Sequence, residues 1–506
     1  MLDLGRTLLY VTEREPSAIA VIDGETTLTY GAWLDRTLRT VAGLDALGLG
    51  RGDHLVTILQ NRLEAATLHW ACQLAGVAIT PVNWRAKPEE LDYVLDDAGA
   101  RAVCFEPVSA DTAANAPHAR QIPRIAVGGA DGGTFGFDEL AGGTAADAAP
   151  RAGPDDVSVM LYTSGTTGRP KGVPRTHAAE RAGAVAHVAQ NRYGYGERTL
   201  GVMPLYHTMG VRSLLSMALV SGGFVCQPRF ETSGALDLIE RHRVTNLYLV
   251  PTLYHDLVAD PAFEAADVSS VRKLGFAGAP MTDGLLRRLA RAFRPELFVN
   301  HYGSSEIYTF TVCPDAPAKP GSAGRAGINQ RIRVVRIGAA DPDAVMPPNE
   351  EGEIISSLES DEAFTGYWRR PDADAKALHG GWYFTGDIGC FDDDGDLFVT
   401  GRVDDMMISG GENVMPVEIE SVLSLHPGVA EVAVAGLPDE RLGQRITAFI
   451  TRRGEVDAET LDRYCKASEL ADFKRPRAYV FVRSIPKSPV GKILRRLLLA
   501  GQYEAE

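Results

Sequence analysis

A chain of 506 residues exceeds what one hydrophobic core ordinarily supports, so its length predicts at least two domains. Its composition, 45% hydrophobic and 8% aromatic, is that of a folded globular protein rather than a disordered or fibrous one. The 66 acidic and 51 basic side chains give a formal net charge of −15, and this field argues against nucleic acid as a general partner.

Several classes of signal are missing from the sequence. The first residues, MLDLGRTLLYVTEREPS, show no basic segment followed by an apolar one, so we expect no secretory signal. The six cysteines include no C-x-x-C pair, which argues against structural zinc and a disulfide framework. The stretch LLSMALVSGGFV is too short and too rich in glycine to span a bilayer. We therefore expect a cytoplasmic protein with no membrane partner.

Segments typical of helices and strands alternate along most of the chain. LTYGAWLDRTLRTVAGLDALGLG indicates a helix that ends at a glycine, DHLVTILQN a strand, and EAATLHWACQLAGV a second helix. Farther along, VTNLYLVP and KLGFAGAP each predict a strand, and a predicted helix follows each of them. This alternation predicts an α/β fold with largely parallel sheets.

Two changes of composition divide the chain. Residues 106–156 are rich in Ala, Gly, Pro and Asp, which predicts surface loops around short elements. After GRVDDMMISGG a shorter β/α alternation begins, long enough for a small domain. We predict a large N-terminal domain at 1–401, a hinge at 402–405 and a small mobile domain at 406–506.

The segment YTSGTTGRPKG, residues 162–172, is the clearest candidate for a ligand-binding loop. It follows DDVSVML, a predicted buried strand, and ligand sites in α/β sheets lie at strand ends. Its glycines allow close approach of backbone N–H groups to a phosphate, while its hydroxyls and Lys171 add donors and charge. The spacing does not fit the Walker pattern, because Gly172 follows the lysine. A flexible Ser/Gly linker is the alternative.

With this segment and seven others in order, the chain resembles the adenylate-forming enzymes, which include acyl-CoA synthetases, peptide-synthetase adenylation domains and luciferases. The other motifs are MPLYHTMG (203–210), FAGAP (276–280), NHYGSSE (300–306), GEI (352–354), YFTGD (383–387), GRVDDMMISGGENV (401–414) and PKSPVGKILRR (486–496). The resemblance implies a large N-terminal domain of stacked α/β sheets with a β-barrel-like subdomain, and a small mobile α+β C-terminal domain.

The resemblance also implies a two-step reaction. A carboxylate attacks the α-phosphate of ATP, which gives acyl-AMP and pyrophosphate, and a thiolate then displaces AMP. The expected cofactors are ATP, Mg²⁺ and, as a co-substrate, CoA. Donors, a metal and a lysine would stabilise the negative charge that develops on phosphate.

Roles at the ATP site follow from the same motifs. The phosphate-loop residues are Thr163, Ser164, Gly165, Thr166, Thr167, Gly168 and Lys171. Tyr302 and the segment Gly278, Ala279 and Pro280 would flank the adenine, and Asp387 with Arg402 would contact the ribose. Gly303, Ser304 and Ser305 are further expected ATP-binding residues. Glu306 and Thr163 would place Mg²⁺. Lys492 would be the catalytic lysine of adenylation, and Asp404 the hinge.

The C-terminal third is especially similar to aryl-CoA ligases of the 4-chlorobenzoate type. That similarity implies CoA-binding roles for Arg85, Gly410, Gly411, Glu412, Phe473, Arg475 and Arg477. Leu442 stands where those enzymes have a tryptophan that stacks on the CoA adenine, which puts this stacking in doubt.

The acyl pocket is expected to draw on Met203, Tyr206, His207, Met209 and Gly278, and His207 would also act as a gate. This lining suits an aryl, alicyclic or bulky apolar acid. No aspartate suited to an amino acid's amine is evident, so an amino acid substrate is disfavoured.

Three functions remain open at this point. The first is a complete acid–CoA ligase. The second is an enzyme that passes acyl-AMP to a carrier protein or a separate ligase in natural-product biosynthesis, with a terpenoid acid as a weak compositional suggestion. The third is an inactive binding module, which the presence of every charged motif residue disfavours. The expected partners are a small carboxylic acid and CoA or a carrier protein, and a homodimer stays an open alternative.

Overall fold

The structure is a computed structural model that describes residues 2–163, 169–410, 412–487 and 493–506, without the side chains of Asp404 and Asn413. Within these residues, no helix is both long enough and apolar enough to cross a membrane.

The chain forms two compact units. The first comprises Met1–Arg331 and Ser357–Gly381, and the second comprises Ile332–Ser356 and Trp382–Glu506. The second unit thus begins earlier than the predicted small domain. Compact units reflect packing, whereas the predicted domain limits concern movement about a hinge. The limits 1–401, 402–405 and 406–506 therefore stay a prediction.

One sheet of the first unit has seven strands, and its last two form an antiparallel hairpin. In order across the sheet the strands are Phe135–Gly136, Arg124–Ala126, Ala100–Phe105, His54–Ile58, Ala78–Pro81, Val157–Thr163 and Lys171–Thr176. The first six pair in parallel. The predicted strands at DHLVTILQN and DDVSVML are confirmed.

The other strands of the first unit form a second, mostly parallel row. In order they are Ser322–Ala326, Thr311–Cys313, Leu297–Tyr302, Lys273–Phe276, Asn246–Leu249, Arg198–Gly201, Gly223–Cys226, Ile19–Asp23 and Thr26–Thr29. The first two and the last pair with their neighbours in an antiparallel direction. The short strand Leu378–His379 also belongs to this unit.

Helices of the first unit connect and cover these strands, as the strand–helix alternation predicts. They are Leu4–Arg14, Tyr30–Ala46, Leu63–Ala75, Pro88–Ala98, Ala110–Asn115, Phe137–Leu140, His177–Gln190, Thr208–Leu219, Thr232–His242, Pro251–Ala259, Asp283–Phe293 and Pro371–Ala377. Thr176 and Thr282 cap two of them. Each side chain accepts a hydrogen bond from the backbone N–H of the third residue of its helix.

The described residues of the second unit form two groups of strands and three α-helices. One group is Ile332–Val335, Gly352–Ser357, Trp382–Phe391 and Leu397–Arg402. The other is Glu412–Val414, Met407–Ser409, Gly443–Arg452, Val429–Asp439 and Ala478–Phe481. The helices are Pro416–Ser424, Ala458–Ala467 and Arg495–Leu499. Buried Val414, Ile419, Val434, Ile446 and Leu461 form much of the apolar core here. The β-barrel-like subdomain stays a prediction.

Candidate active site

The predicted phosphate loop joins the two strands of the hairpin in the seven-stranded sheet. Thr163 is the last residue of one strand, and it pairs directly with Lys171, the first residue of the other. The residues between these strands that the sequence assigns to phosphate binding, Ser164, Gly165, Thr166, Thr167 and Gly168, lie outside the described residues. The paired strand ends nevertheless place Thr163 and Lys171 side by side where the hairpin meets the predicted loop.

Lys171 and Glu306 both contact the side chain of Tyr367. The Lys171 Nζ atom lies 3.9 Å from the centre of the Tyr367 ring. The Tyr367 hydroxyl donates a hydrogen bond of 2.7 Å to Glu306 Oε1. Both Tyr367 and Glu306 are 6% exposed, so the contacts are largely shielded from water. The phosphate-loop lysine and the proposed metal-binding carboxylate are therefore joined through Tyr367.

The backbone around Glu306 is held from several directions. Its carbonyl oxygen accepts hydrogen bonds from Arg175 Nη1 at 2.9 Å and from the backbone N–H of Phe364 at 2.9 Å. The Ser304 hydroxyl accepts from the backbone N–H of Glu306 at 3.2 Å. Arg175 is fully buried and also forms an ion pair of 2.8 Å with Glu180. Glu306 thus rests on a fixed support rather than on an exposed turn.

The predicted adenine-site residues follow neighbouring parallel strands. Gly278 to Pro280 come directly after Lys273–Phe276, and Tyr302 is the last residue of the adjacent strand Leu297–Tyr302. A side-chain Cβ at Gly303 would lie 2.1 Å from the carbonyl oxygen of Tyr308, so the chain can turn there only with glycine. Carboxyl ends of neighbouring parallel strands are the usual ligand-binding edge of such a sheet.

The predicted acyl-pocket residues lie at the start of the helix Thr208–Leu219. Met203 and Met209 are buried in one apolar cluster, and the rings of Tyr206 and His207 are 4.7 Å apart. Burial lowers the pKa of His207 to about 4. Burial raises the pKa of Tyr206 to about 12, and the positive charge of Arg85 opposes this rise. Arg85, a predicted CoA contact, also lies over the Trp84 ring at 3.6 Å.

The predicted ribose residues form a pair in the second unit. Asp387 and Arg402 face each other on antiparallel strands, and their side chains form an ion pair of 2.8 Å. Arg402 Nη2 also donates to the Thr385 carbonyl oxygen at 3.3 Å. The carboxylate that the sequence assigns to the ribose hydroxyls is therefore oriented by Arg402.

The predicted catalytic lysine, Lys492, and Gly411 lie outside the described residues, as does the side chain of the predicted hinge residue Asp404. The chain that follows Lys492 is firmly attached within the second unit. Arg495 Nη2 donates to both Glu420 oxygens at 2.6 and 2.7 Å, and Arg495 Nη1 donates to Asp405 at 3.1 Å.

The predicted CoA residues of the second unit lie in two segments, GGEN at 410–413 and residues 473–477. The backbone N–H of Gly410 donates to the Leu442 carbonyl oxygen at 2.9 Å, so Leu442 lies directly beside the GGEN segment. Phe473 is 44% exposed. Glu412 begins the strand that pairs with Met407–Ser409. Arg477 Nη2 donates to the Asp472 carbonyl oxygen at 3.0 Å. Arg475 is ion-paired with Asp462 and, at 3.1 Å, with Asp472.

Three supporting residues were missed in the sequence. Tyr367, Arg175 and Arg495 act through contacts with residues far away in the chain, and no local spacing reveals such contacts. The available signal for Tyr367 was the aromatic pair in FTGYWRR. For Arg495 it was the pair of arginines that ends KILRR.

Comparison with known proteins decides the family. Residues 10–368 match the family described as AMP-binding enzyme, and residues 418–492 match the AMP-binding enzyme C-terminal domain. The chain belongs to the AMP-binding enzymes. The predicted membership of the adenylate-forming superfamily is thereby confirmed.

Relatives in this family align over nearly the full length. The chain is 34% identical to the long-chain-fatty-acid–CoA ligase FadD13 of Mycobacterium tuberculosis, over 94% of this chain and 93% of that protein. It is 33% identical to a 4-chlorobenzoate–CoA ligase of Arthrobacter, over 96% of this chain and 92% of that protein. The solved structure of ATP-bound MatB from Rhodopseudomonas palustris matches with a TM-score of 0.89 and 27% identity, over 99% of both chains. This AMP-binding enzyme therefore has the predicted α/β fold.

Proposed function

We propose that the protein activates an aryl, alicyclic or bulky apolar carboxylic acid with ATP and transfers the acyl group to CoA. The enzyme class is that of an AMP-forming acid–CoA ligase, which agrees with the sequence prediction. The observation that carries the proposal is the contact of Lys171 and Glu306 through Tyr367, because it joins a phosphate-loop cation to a buried carboxylate.

In the first step, a carboxylate oxygen of the acid attacks the α-phosphorus of ATP, and the bond to pyrophosphate breaks. Lys171 and the hydroxyl of Thr163 would bind phosphate oxygens, since both stand at the hairpin tip. Lys492 would reach the reacting phosphate and carboxylate. Asp387 would accept hydrogen bonds from the ribose hydroxyls while Arg402 holds its carboxylate in place. Tyr302 and the segment from Gly278 to Pro280 would enclose the adenine.

The residues present fit Mg²⁺. The Tyr367 hydroxyl binds one Glu306 oxygen, and a carboxylate has a second oxygen that can serve as a hard ligand. The Thr163 hydroxyl is the second candidate ligand. Bound Mg²⁺ would neutralise charge on the phosphates during adenylation.

In the second step, the CoA thiolate attacks the acyl carbon and AMP leaves. We assign the CoA contacts to Arg85, Phe473, Arg477 and the GGEN segment, with His207 as the gate to the acyl pocket. We further propose that the hinge at Asp404 allows the small domain to exchange Lys492 for the thiol-binding face between the two steps.

A second candidate function is transfer of the acyl group to a carrier protein or a separate ligase, as in natural-product pathways. Two observations favour it. Leu442 offers no aromatic face beside the GGEN segment, and Arg475 is already ion-paired with Asp462 and Asp472. Both features lower the affinity that we expect for a CoA nucleotide.

A panel of aromatic, alicyclic, polycyclic and fatty acids tests the proposal. Acid-dependent pyrophosphate release measures the first step, and mass spectrometry of acyl-CoA measures the second. Both signals with the same acid support the complete ligase. Pyrophosphate release and bound acyl-AMP without acyl-CoA would support the carrier alternative, and no acid-dependent pyrophosphate release would contradict adenylation. A strong preference for short or unbranched acids would contradict the proposed substrate class.

A further inference from the structure

A buried polar cluster lies within the first unit, beside the residues predicted to line the acyl pocket. Its members are Arg212, Tyr248, His187, His301 and Asn191, and each is at most 2% exposed. Arg212 Nη2 donates to the Tyr248 hydroxyl at 2.8 Å. The Tyr248 ring lies 4.6 Å from the His187 ring and 5.4 Å from the His301 ring, measured between ring centres.

The cluster adjoins the predicted pocket through three elements. Arg212 follows Met209 by one helical turn, so both lie on the same face of Thr208–Leu219. Tyr248 belongs to the same buried apolar cluster as Met203 and Met209. The third element is the strand Lys273–Phe276, which leads to Gly278.

The strand that leads to Gly278 also lies against the cluster. A Cβ at Gly275 would lie 3.0 Å from the Tyr248 ring and 3.3 Å from Asn191 Oδ1. The polar cluster therefore adjoins the apolar residues of the pocket and does not form a separate site.

Arg212 is unusual for a buried arginine. Its terminal nitrogens donate to two neutral hydroxyls, those of Thr309 and Tyr248. Among the described residues it has no carboxylate within ion-pair distance, whereas Arg175 is paired with Glu180. The buried Glu362 carboxylate interacts with the Arg212 charge only from a longer distance. A buried cation is costly unless it is paired and fully hydrogen-bonded. Within the described chain, Arg212 Nε also has no hydrogen-bond acceptor.

His187 offers a second donor in the same cluster. Its Nδ1 atom lies 3.0 Å from the side-chain nitrogen of Asn191, which also donates to the His187 carbonyl oxygen at 2.8 Å. If Asn191 donates to Nδ1, the neutral ring carries its proton on Nε2, and this is the tautomer that we assign. Burial, followed by the charge of Arg212, lowers the pKa of His187 well below its ordinary value and keeps the ring neutral. His187 Nε2 is buried and has no partner among the described residues.

We propose that the acid activated by this protein carries an oxygen acceptor on its apolar body, away from the reacting carboxylate, and that Arg212 and His187 bind this oxygen. A keto, hydroxyl or second carboxylate oxygen supplies the acceptor that the two buried donors lack. This inference rests on the proposed adenylation and narrows its substrate class to oxygen-substituted aryl or alicyclic acids.

The test uses the full-length enzyme with ATP, Mg²⁺ and matched sets of acids that share one carbon skeleton. Each set contains the unsubstituted acid and its hydroxy, oxo and dicarboxylate derivatives. The measured quantity is the ratio of kcat/KM for the oxygen-bearing acid to that for the unsubstituted acid, from pyrophosphate release. The wild-type ratio is expected to be at least on the order of 10 for the best skeleton, because buried donors reject a partner without an acceptor.

Variants connect this preference to the cluster. Arg212→Met is expected to lower the ratio by an order of magnitude or more while the KM for ATP stays unchanged. Tyr248→Phe removes only one hydroxyl and lowers the ratio by a smaller factor, which provides a second test if Arg212→Met does not fold. Tyr254→Phe is the matched control, because the Tyr254 hydroxyl is equally buried but donates to the carbonyl oxygens of Leu247 and Gly275.

The outcomes separate this inference from the proposed function. The inference is supported if the wild type prefers the oxygen-bearing acid and this preference falls in the Arg212 and Tyr248 variants but not in Tyr254→Phe. If the dicarboxylate gives the highest kcat/KM ratio, the cluster recognises a negative charge. Activation of unsubstituted acids with equal or better kcat/KM would overturn the inference alone. An unchanged ratio in folded variants would also overturn it. Pyrophosphate release with no acid at all would overturn the proposed function, and the inference with it.

Discussion

Tyr367 donates its hydroxyl to Glu306 at 2.7 Å and presents its ring to Lys171 Nζ at 3.9 Å. One side chain therefore orients a carboxylate and a cation that belong to motifs far apart in the sequence. The backbone of Tyr367 is itself fixed, because its N–H donates to Asp374 Oδ1 at 2.8 Å. A change at Tyr367 should affect the ATP site without altering any residue that contacts phosphate in the proposed mechanism.

Tyr367→Phe tests this positioning role. The ring that faces Lys171 is kept, but Glu306 loses its donor and should bind Mg²⁺ more weakly. We therefore expect a higher Mg²⁺ concentration for the half-maximal rate and a fall in kcat for adenylation of about 10-fold. The measurement is pyrophosphate release over a range of Mg²⁺ concentrations. Tyr10→Phe, at an exposed position, is the control. An unchanged Mg²⁺ dependence in Tyr367→Phe would show that the hydroxyl does not orient Glu306.

Arg495 is expected to position the segment that carries Lys492. Arg495→Met breaks the bonds to Glu420 and Asp405, so adenylation should slow by about 10- to 100-fold. Thioester formation from chemically prepared acyl-AMP should change by less than about threefold, because Lys492 is assigned to the first step alone. The neighbouring, exposed Arg496→Met is the matched control. Equal loss in both half-reactions would indicate general damage to the second unit instead.

The pair of Asp387 and Arg402 gives a prediction about ATP affinity. Asp387→Asn keeps the size of the side chain but removes the charge that Arg402 orients at 2.8 Å. We expect the KM for ATP to rise by about 10-fold, the scale of a lost charge-assisted hydrogen bond, while the KM for the acid stays the same. Initial rates with each substrate varied in turn measure this. A selective rise in the KM for the acid would argue against a ribose contact.

Acid should destabilise the first unit through its buried histidines. Burial lowers the pKa values of His54, His177 and His207 to about 4, against 6.5 for the free side chain. The folded state therefore binds fewer protons than the unfolded state, and stability falls as the pH decreases from 6.5 through 4. Each group accounts for a few kcal/mol at most, on the order given by its pKa shift.

Thermal unfolding between pH 7.5 and 4.5 measures this dependence. In His177→Asn, the amide oxygen can still accept from the backbone N–H of Leu4 but cannot be protonated, so the fall in Tm with acid should be shallower than in the wild type. His255→Asn, at an exposed position, should leave the slope unchanged. A Tm that is constant from pH 6.5 to 4.5 would contradict the burial of neutral histidines.

Local patterns in the sequence predicted much of the fold. The strand at DDVSVML, the helix in EAATLHWACQLAGV and the strand–helix pairs that begin at VTNLYLVP and KLGFAGAP all occur, because each follows from periodicity and a nearby turn signal. The region between Glu106 and Asp156 does contain short elements, but it also supplies the edge strand of the seven-stranded sheet, Phe135–Gly136, and the strand next to it, Arg124–Ala126. Pairing with a distant strand stabilises them, and composition alone does not show this.

The same distinction applies to the site. Motifs predict roles for Lys171, Glu306 and Asp387, because the chemistry of these residues is local and the spacing around them is characteristic. Tyr367 and Arg212 were not found, since their partners are remote in sequence and only folding brings them together. The predicted apolar pocket also omitted the polar cluster, because His187 and His301 are single histidines in apolar segments, a pattern more typical of structural residues.

The most direct test of adenylation follows the oxygen atoms. An accepted acid labelled with ¹⁸O in both carboxylate positions is incubated with ATP, Mg²⁺ and CoA, and the nucleotide products are analysed by mass spectrometry. We expect AMP that carries one ¹⁸O atom, since a carboxylate oxygen becomes bonded to the α-phosphorus. In Lys492→Ala, the yield of this product should fall by a factor on the order of 100 or more. Production of ADP with ¹⁸O in inorganic phosphate, or of unlabelled AMP, would contradict it.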